Sequence, residues 1–474
     1  MQTVLTKIAL AASLAVALSA CGTVGQDFTA PANVAGSDTF RHGAAAADAA
    51  QLPKEWWSIY GDATLNRLEQ SALQDNPGVK AAGERLLQAL AQSGTARANQ
   101  GPSVNVSTGI SNSRTSANTS QGLALGNRSI SGNNFSVGGS LSYEVDLLGR
   151  VKRMVEAADS QALAAQADRD GVLLMLSSQV ASNYWQLRGL DAEMAILNGA
   201  LDTRRESAQL VEARFNAGLT NELDLARAKV ELSNAQADLH EVKRQRNQLE
   251  NSLATLTGKP PSALQLPVAA DPSILPLPPA IPVGLPASLL AHRPDLVSSV
   301  AGLRAANAQV GVAEGAFYPS LQLTGNFGYA SEKLRDLAQG GSRQFSFGPL
   351  ALSLPIFDGG RNQANLDLSK ARYAEAVANH ETKLLTALRE VEDALSDVEQ
   401  RQLQGDAQAQ SQAAAARAYL VARTRYERGI STYLDVTDAQ RSSLAADRAA
   451  AQIKTQRLLA TVAVARSLGA GWQH

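Results

Sequence analysis

Two clusters of titratable residues could support acid/base chemistry. His292 and Asp295 flank Arg293-Pro294, and Glu390, Glu392 and Asp393 crowd one stretch of a long periodic segment. A His–Asp pair, or two close carboxylates, can act as general acid and base. Each cluster also has a plain structural reading. His292 and Asp295 stand where a helix starting after Pro294 takes its cap and first-turn carboxylate. A run of carboxylates on a long helix commonly forms a solvated face. Nothing else strengthens an enzyme. His42, His240, His292, His380 and His474 include no ligand-spaced pair, and there is no Walker loop or Ser/His/Asp arrangement. Cys21 is the one cysteine, which excludes an intrachain disulfide and a cysteine-built metal site. The sequence therefore calls for no catalytic residue, no metal and no cofactor. Lys+Arg (43) and Asp+Glu (44) cancel, against a nucleic-acid binder, and 45% hydrophobic residues argue against disorder.

Cys21 has a different chemistry open to it. Lys7 precedes an apolar stretch from Ile8 to Leu18, too short to span a bilayer but suited to a secretory signal. Leu18-Ser19-Ala20-Cys21 then resembles the cleavage site of a bacterial lipoprotein. Residues 1–20 are expected to be removed, leaving Cys21 acylated on its sulfur and amine at the head of an arm, 21–61. The alternative is an ordinary signal peptide that happens to contain a cysteine. In such lipoproteins Gly22, where an Asp would signal inner-membrane retention, implies the outer membrane. After residue 21 no run of about 18 apolar residues occurs, so a membrane crossing would need a β-barrel.

The elements that carry these residues are written twice. Asn76-Pro77 and Arg293-Pro294 each precede a helical stretch, with Pro102 and Pro319 following at the same distance. At one constant offset Gly149-Arg150 matches Gly360-Arg361, Ala213–Gly218 matches Thr424–Gly429, and Leu223-Asp224 matches Leu434-Asp435. The expected units are a first repeat over 62–257 and a second over 294–474. The join, 258–293, holds nine of the 17 prolines and reads as an extended linker.

Each copy has the same internal order. A helix (Gly78–Asn99; Asp295–Gly315) leads to two alternating segments, expected as strands about 102–112 and 134–146, then 319–330 and 344–355. Pro349 marks a bulge or an edge. A very long helix follows (Val151–Asn216; Asn362–Arg428). Leu176, Val180, Asn183, Leu187, Leu190, Met194, Leu197 and Leu201 step by four and three, a coiled-coil seam. At 1.5 Å per residue each rod spans on the order of 100 Å. Gly218 and Gly429 end the rods as C′ glycines, and return helices follow (Glu222–Thr255; Tyr433–Ser467).

Four strands cannot close a barrel, and open edges are not tolerated in lipid. Two chains would give eight strands, whose interior side chains fill, and three would give twelve and an aqueous lumen. The bland alternative is a small soluble hairpin domain on a coiled-coil stalk.

Several segments together resemble the TolC-like outer-membrane factors, in the lipoprotein branch serving tripartite efflux pumps. They are Trp56-Trp57 with Leu65, Tyr143–Arg150, Arg293-Pro294-Asp295, Phe317-Tyr318-Pro319 with Gly325, Leu354–Arg361 and the two tip segments. The resemblance implies a mainly α chain with a small β part, built from a duplicated helical-hairpin/β-hairpin unit. It implies a homotrimer with a 12-stranded outer-membrane barrel continuous with an α-helical periplasmic tunnel. It also implies a passive exit duct for small molecules (drugs, solvents or metal ions), no enzyme activity, and two protein partners: a periplasmic adaptor and an inner-membrane RND-type transporter.

Site residues follow from the same resemblance. The tips Gly218, Leu219, Thr220, Gly429, Ile430 and Ser431 are expected to dock the adaptor. Leu434, Asp438 and Arg441 share one helix face, which the resemblance turns toward the tunnel axis as a periplasmic gate, with Asp224 and Arg227 adding links. Their plain reading is a surface ion pair. Glu390, Glu392 and Asp393 could line the tunnel and attract cations. Phe135, Tyr143, Phe327 and Tyr329 suit lipid-facing positions. Two other functions stay open: an exit duct for type I protein secretion, and a periplasmic coiled-coil adaptor or structural protein.

Overall fold

The computed structural model describes residues 23–30, 40–42, 53–269, 275–279 and 293–470. The cleavage site, Cys21, His292 and His474 lie outside the described residues. In chain order the helices and strands are α1 (Ala63–Asp75), α2 (Pro77–Ala98), β1 (Ser103–Arg114), α3 (Ser120–Ala124), β2 (Ser131–Val145), α4 (Arg150–Asn216) and α5 (Glu222–Leu256). They continue as α6 (Pro294–Gly315), β3 (Ser320–Ser331), β4 (Arg343–Ser353), α7 (Arg361–Glu427) and α8 (Tyr433–Ser467).

The duplication survives in element lengths. Both opening helices have 22 residues, both rods 67 and both return helices 35. Yet the chain packs as two compact units, each drawing on both copies. One holds 1–31, 87–165 and 299–379, with the sheet; the other holds 32–86, 166–298 and 380–474.

In the first unit the strands form one antiparallel sheet in the order β1-β2-β3-β4. Its register sorts side chains by polarity. Ile110 faces Phe135, Val104 faces Leu141, Tyr143 faces Leu323 and Phe327 faces Phe345. These residues share one face, while Asn105, Ser107, Ser140, Ser142, Gln322 and Asn326 fall on the other. The register shifts by one residue between the Leu323–Leu350 and Gly325–Phe347 pairs, beside the cis Gly348-Pro349 bond. Period-two alternation would otherwise send Leu350 and Leu352 to the polar face. The extra residue returns them to the face of Phe345 and Phe347. Gly139 gives room to Phe327, whose ring occupies the space a Cβ would need.

Turns and caps explain where the rods begin. Gly149 (φ +77°) and Gly360 (φ +84°) take the left-handed conformation that L side chains avoid. Asp146 accepts from the Lys152 N–H at 2.8 Å, and Asp358 from the Asn362 N–H at 2.8 Å. The Asn362 N–H, against an opposing desolvation and helped by the Gly360 N–H and the Arg361 charge, holds the Asp358 carboxyl below its usual range. Arg150 clasps Glu144 with two Nη2 contacts of 2.8 and 2.7 Å, tying rod to strand.

In the second unit the main core gathers Trp56, Trp57, Leu65, Leu68, Leu176, Val180, Trp185, Leu253, Leu458 and Val462. The adjacent tryptophans thus pack in one core with α4. Trp56 donates to Ser177 Oγ at 3.2 Å, and Tyr60 shares a 2.8 Å hydrogen bond with Thr461. A helix absent from the sequence reading, α1, precedes α2. Asp62 caps it, accepting from Thr64 and Leu65 N–H at 2.7 and 2.9 Å, and Asn76-Pro77 ends it. Glu69 of α1 is fully buried in this packing, which pushes its carboxyl well above the usual range despite an opposing contribution from the Ala181 backbone.

Candidate functional site

The two tip turns share one geometry. The Gly218 N–H donates to Phe215 O at 2.9 Å and the Leu219 N–H to Arg214 O at 2.8 Å. Gly429 and Ile430 repeat this toward Tyr426 O and Arg425 O, both at 2.9 Å. Both glycines have positive φ (+70° and +72°), and nothing stands within 4 Å of a Cβ on either. A side chain there is opposed by the backbone conformation alone. Leu219 and Ile430 project outward, 76% and 63% exposed. Thr220 donates to Asp224 at 2.7 Å, and a capping box joins Thr432 to Asp435. Ser431 sits between Ile430 and that cap. Beneath the tips Val211, Ala228, Tyr426, Tyr433 and Val436 form a separate small core.

Beside the second tip, Leu434 and Asp438 are exposed on α8 as the spacing requires. Arg441 does not depend on Asp438. Those two stand 3.8 Å apart, whereas Arg441 Nε donates to Glu231 of α5 at 2.9 Å and Nη2 makes a shorter contact to the same oxygen. Glu231 is only 4% exposed and also pairs with Arg204 of α4 at 3.1 Å. One carboxylate therefore joins three helices. The sequence carried a signal for it: Glu231 interrupts the small-apolar stripe Ala228, Ala235, Leu239 and Val242, all buried. Asp224 and Arg227 pair with each other at 3.8 Å on α5.

The same chemistry recurs along these helices. Arg448 of α8 reaches Glu193 of α4 at 2.7 Å and Asp238 of α5 at 3.3 Å. Buried Asp191 takes Arg188 and Arg246, each at 2.7 Å. Such buried pairs add little net stability but penalise any shift that separates them. Apart from Arg188–Asp191, three residues apart on α4, these pairs are invisible to sequence spacing, because their partners lie on different helices.

The described members of the suspected acid/base clusters take separate structural jobs; His292 lies outside the described residues. Glu390 pairs with Arg293 at 2.9 Å, and Arg293 also clasps Asp295 and donates to Ser467 O. Burial pushes the Asp295 carboxyl up, but the Arg293 hydrogen bonds and charge outweigh it and the net shift is downward. Glu392 accepts from the Arg41 and His42 N–H groups at 2.6 and 3.2 Å. Asp393 stands 3.9 Å from Arg389. Glu390 and Glu392 thus serve partners rather than solvent alone.

The sheet's edges complete the site. β1 and β4 each have a neighbour on one side only, and both are exposed along most of their length. Val106 is 77% exposed and Phe345 87%. Phe327 is exposed too, while Phe135, Tyr143 and Tyr329 are half-buried. Among the described residues no helix is long and apolar enough to cross a membrane.

A sheet with one apolar and one polar face, joined to two long helical rods, suits a transmembrane β-channel with a helical extension. Residues 68–259 and 285–470 match the family described as outer membrane efflux protein. The outer membrane protein OprJ of Pseudomonas aeruginosa is 36% identical over 428 residues, covering 89% of this chain and 87% of that protein. The cation efflux system protein CusC of Escherichia coli O6:H1 is 31% identical, covering 88% of each. The solved outer-membrane channel OprN aligns with a TM-score of 0.86 at 30% identity, over 95% of this chain and 99% of that one. The chain belongs to the outer membrane efflux protein family. It is an outer-membrane efflux channel extending into the periplasm, not an enzyme.

Proposed function

We propose that three copies join β4 to the next chain's β1 and close a 12-stranded barrel, through which small molecules leave passively. The carrying observation is the sheet: two open edges beside a continuous apolar face, which lipid cannot tolerate unpaired. The lipoprotein-type site supports an acylated Cys21 on an N-terminal arm, with 62–257 and 294–474 as the two repeats. The inner-membrane RND-type transporter and the periplasmic adaptor supply the energy and the seal. The tips Gly218–Thr220 and Gly429–Ser431 meet the adaptor. Leu434, Asp438, Arg441, Asp224 and Arg227 surround the resting closure.

Small cargo is favoured over secreted proteins by the relatives' own names. CusC is a cation efflux protein, OpmQ of Pseudomonas aeruginosa a pyoverdine export protein, and TtgC of Pseudomonas putida a toluene efflux pump component. The test is the mass of the protein in detergent together with conductance in planar bilayers. A trimer with discrete channels is expected. A stable monomer with native circular dichroism overturns the reading.

A further inference from the structure

Residues 23–28 lie along the first unit in a seat built for them. The Val24 N–H donates to Leu148 O at 2.8 Å. Arg153 of α4 is 3% exposed and spends its guanidinium on this segment. Its Nε donates to Val24 O at 3.0 Å, and its Nη2 to Gly25 O at 2.9 Å and Asp27 at 2.7 Å. Its remaining arm reaches Glu156 at 2.7 Å. From α6, Asn307 donates to Gln26 O at 2.9 Å and Arg304 lies 5.4 Å from the centre of the Phe28 ring. The backbones cross at glycine: a Cβ on Gly25 (φ +84°) would lie 2.6 Å from Gly311 Cα. At the β2–α4 corner, Gly149 makes room for Thr23 in the same way.

The internal duplication supplies a control. The second-copy counterpart of Arg153 is Ala364, and the first-copy counterparts of Arg304 and Asn307 are Leu87 and Leu90. The counterpart of Gly311 is Gly94, and nothing stands within 4 Å of a Cβ there. The polar seat thus exists once per chain, on the half-pair that faces the N-terminal segment.

We propose that Arg153 is a positioning residue that latches the lipidated N-terminus to the foot of β2. The proposal rests on the reading that Cys21 is acylated. Only Gly22 separates Cys21 from Thr23, and those two residue steps reach about 7 Å at full extension. A latched segment therefore brings the acyl chains to the corner where strand becomes rod. Unlatched, an arm of some 40 residues would let the anchor wander by about 35 Å r.m.s.. The latch removes that slack and holds the sheet's apolar face beside the bilayer while the barrel assembles.

A double-mutant cycle on the full chain tests this. Wild type, Arg153→Met, Cys21→Ser behind a cleavable signal, and the double variant are compared for assembled outer-membrane trimer and for proteinase K cleavage within 23–30. Arg153→Met is expected to expose that segment and lower assembled trimer about five-fold. In the Cys21→Ser background it should lower it no further, because an anchor that is absent cannot be positioned. Arg153→Lys should recover part of the yield. Asn307→Leu, which installs the residue α2 already carries, should expose the segment even if Arg153→Met fails to fold. A segment equally protected in Arg153→Met and Asn307→Leu, or equal losses in both backgrounds, overturns the proposal. Mass spectrometry of the wild type separates the two failures: a Cys21 without acyl chains sinks the anchor reading itself.

Discussion

Glu231 and Arg441 allow stability to be tested apart from the proposed gating. Glu231 and Arg204 are nearly buried, at 4% and 5% exposed. Replacing Glu231 by Gln leaves the Arg204 charge buried without its counter-ion, at a cost of about 3–5 kcal/mol. Arg441 is 55% exposed, so solvent screens its half of the contact to about 0.2–1 kcal/mol. Arg441→Ala should therefore barely move the melting temperature, because Glu231 keeps Arg204. If the α5–α8 link fastens the closed tunnel, three chains lose three such links. In the proposed trimer that sums to about 0.6–3 kcal/mol, roughly a 3–150-fold shift in the ratio of open to closed channels. The assay pairs thermal melting of the detergent trimer with single-channel recording. Arg441→Ala and Asp438→Ala together should open the channel at nearly wild-type melting temperature; Glu231→Gln should open it and lower that temperature sharply. Wild-type conductance in the double variant, at normal trimer yield, would return both residues to the status of surface charges. A melting loss in Arg441→Ala as large as in Glu231→Gln would refute the burial argument.

Bulky substitution at the tips, Gly218→Val or Gly429→Val, should abolish drug resistance in cells at normal protein level, since the strain is local and no neighbour is struck; unchanged resistance in both variants sinks the docking assignment. Glu69 gives a pH test. Its folded pKa is raised above the unfolded value of 4.5, so its share of stability is present below pH 4.5 and lost as pH rises toward the folded pKa, at up to about 1.4 kcal/mol per unit. Glu69→Gln should flatten the fall in melting temperature between pH 5 and 8; parallel curves for both proteins would show that Glu69 is not held neutral.

What the sequence revealed was what local rules write. The rods, the return helices and all four strands fall within about three residues of their expected ends, because apolar period and Gly or Pro punctuation are local signals. The break between α1 and α2 was missed. By sequence Asn76-Pro77 marks only a helix start, whereas Asn76 also caps the end of α1 and donates to Leu256 O at 2.8 Å. The five-residue α3 inside a polar loop carried no period to detect. Spacing pairs Arg441 with Asp438, because it exposes only partners on the same helix. Its stronger partner comes from another helix, and only the stray carboxylate in an apolar stripe marked it.

The duplication also explains why its copies had to diverge. A chain has one N-terminus, so one strap can cover one corner. Over the first corner Thr23 and Val24 close on Gly149 and Leu148. Over the second, Ile356 and Phe357 are left 92% and 91% exposed after an edge strand. The helix that could seat a strap in the other copy carries Leu87 and Leu90, both exposed, where α6 carries Arg304 and Asn307. Among the described residues, apolar groups stand where no strap covers the corner, and hydrogen-bonding groups stand where one does. Adjacent apolar side chains this exposed mark a surface completed from outside the chain. Ile356 and Phe357 follow the open β4 edge, so in the proposed trimer the contacts that close the barrel and those that bury the second corner would belong to one association step.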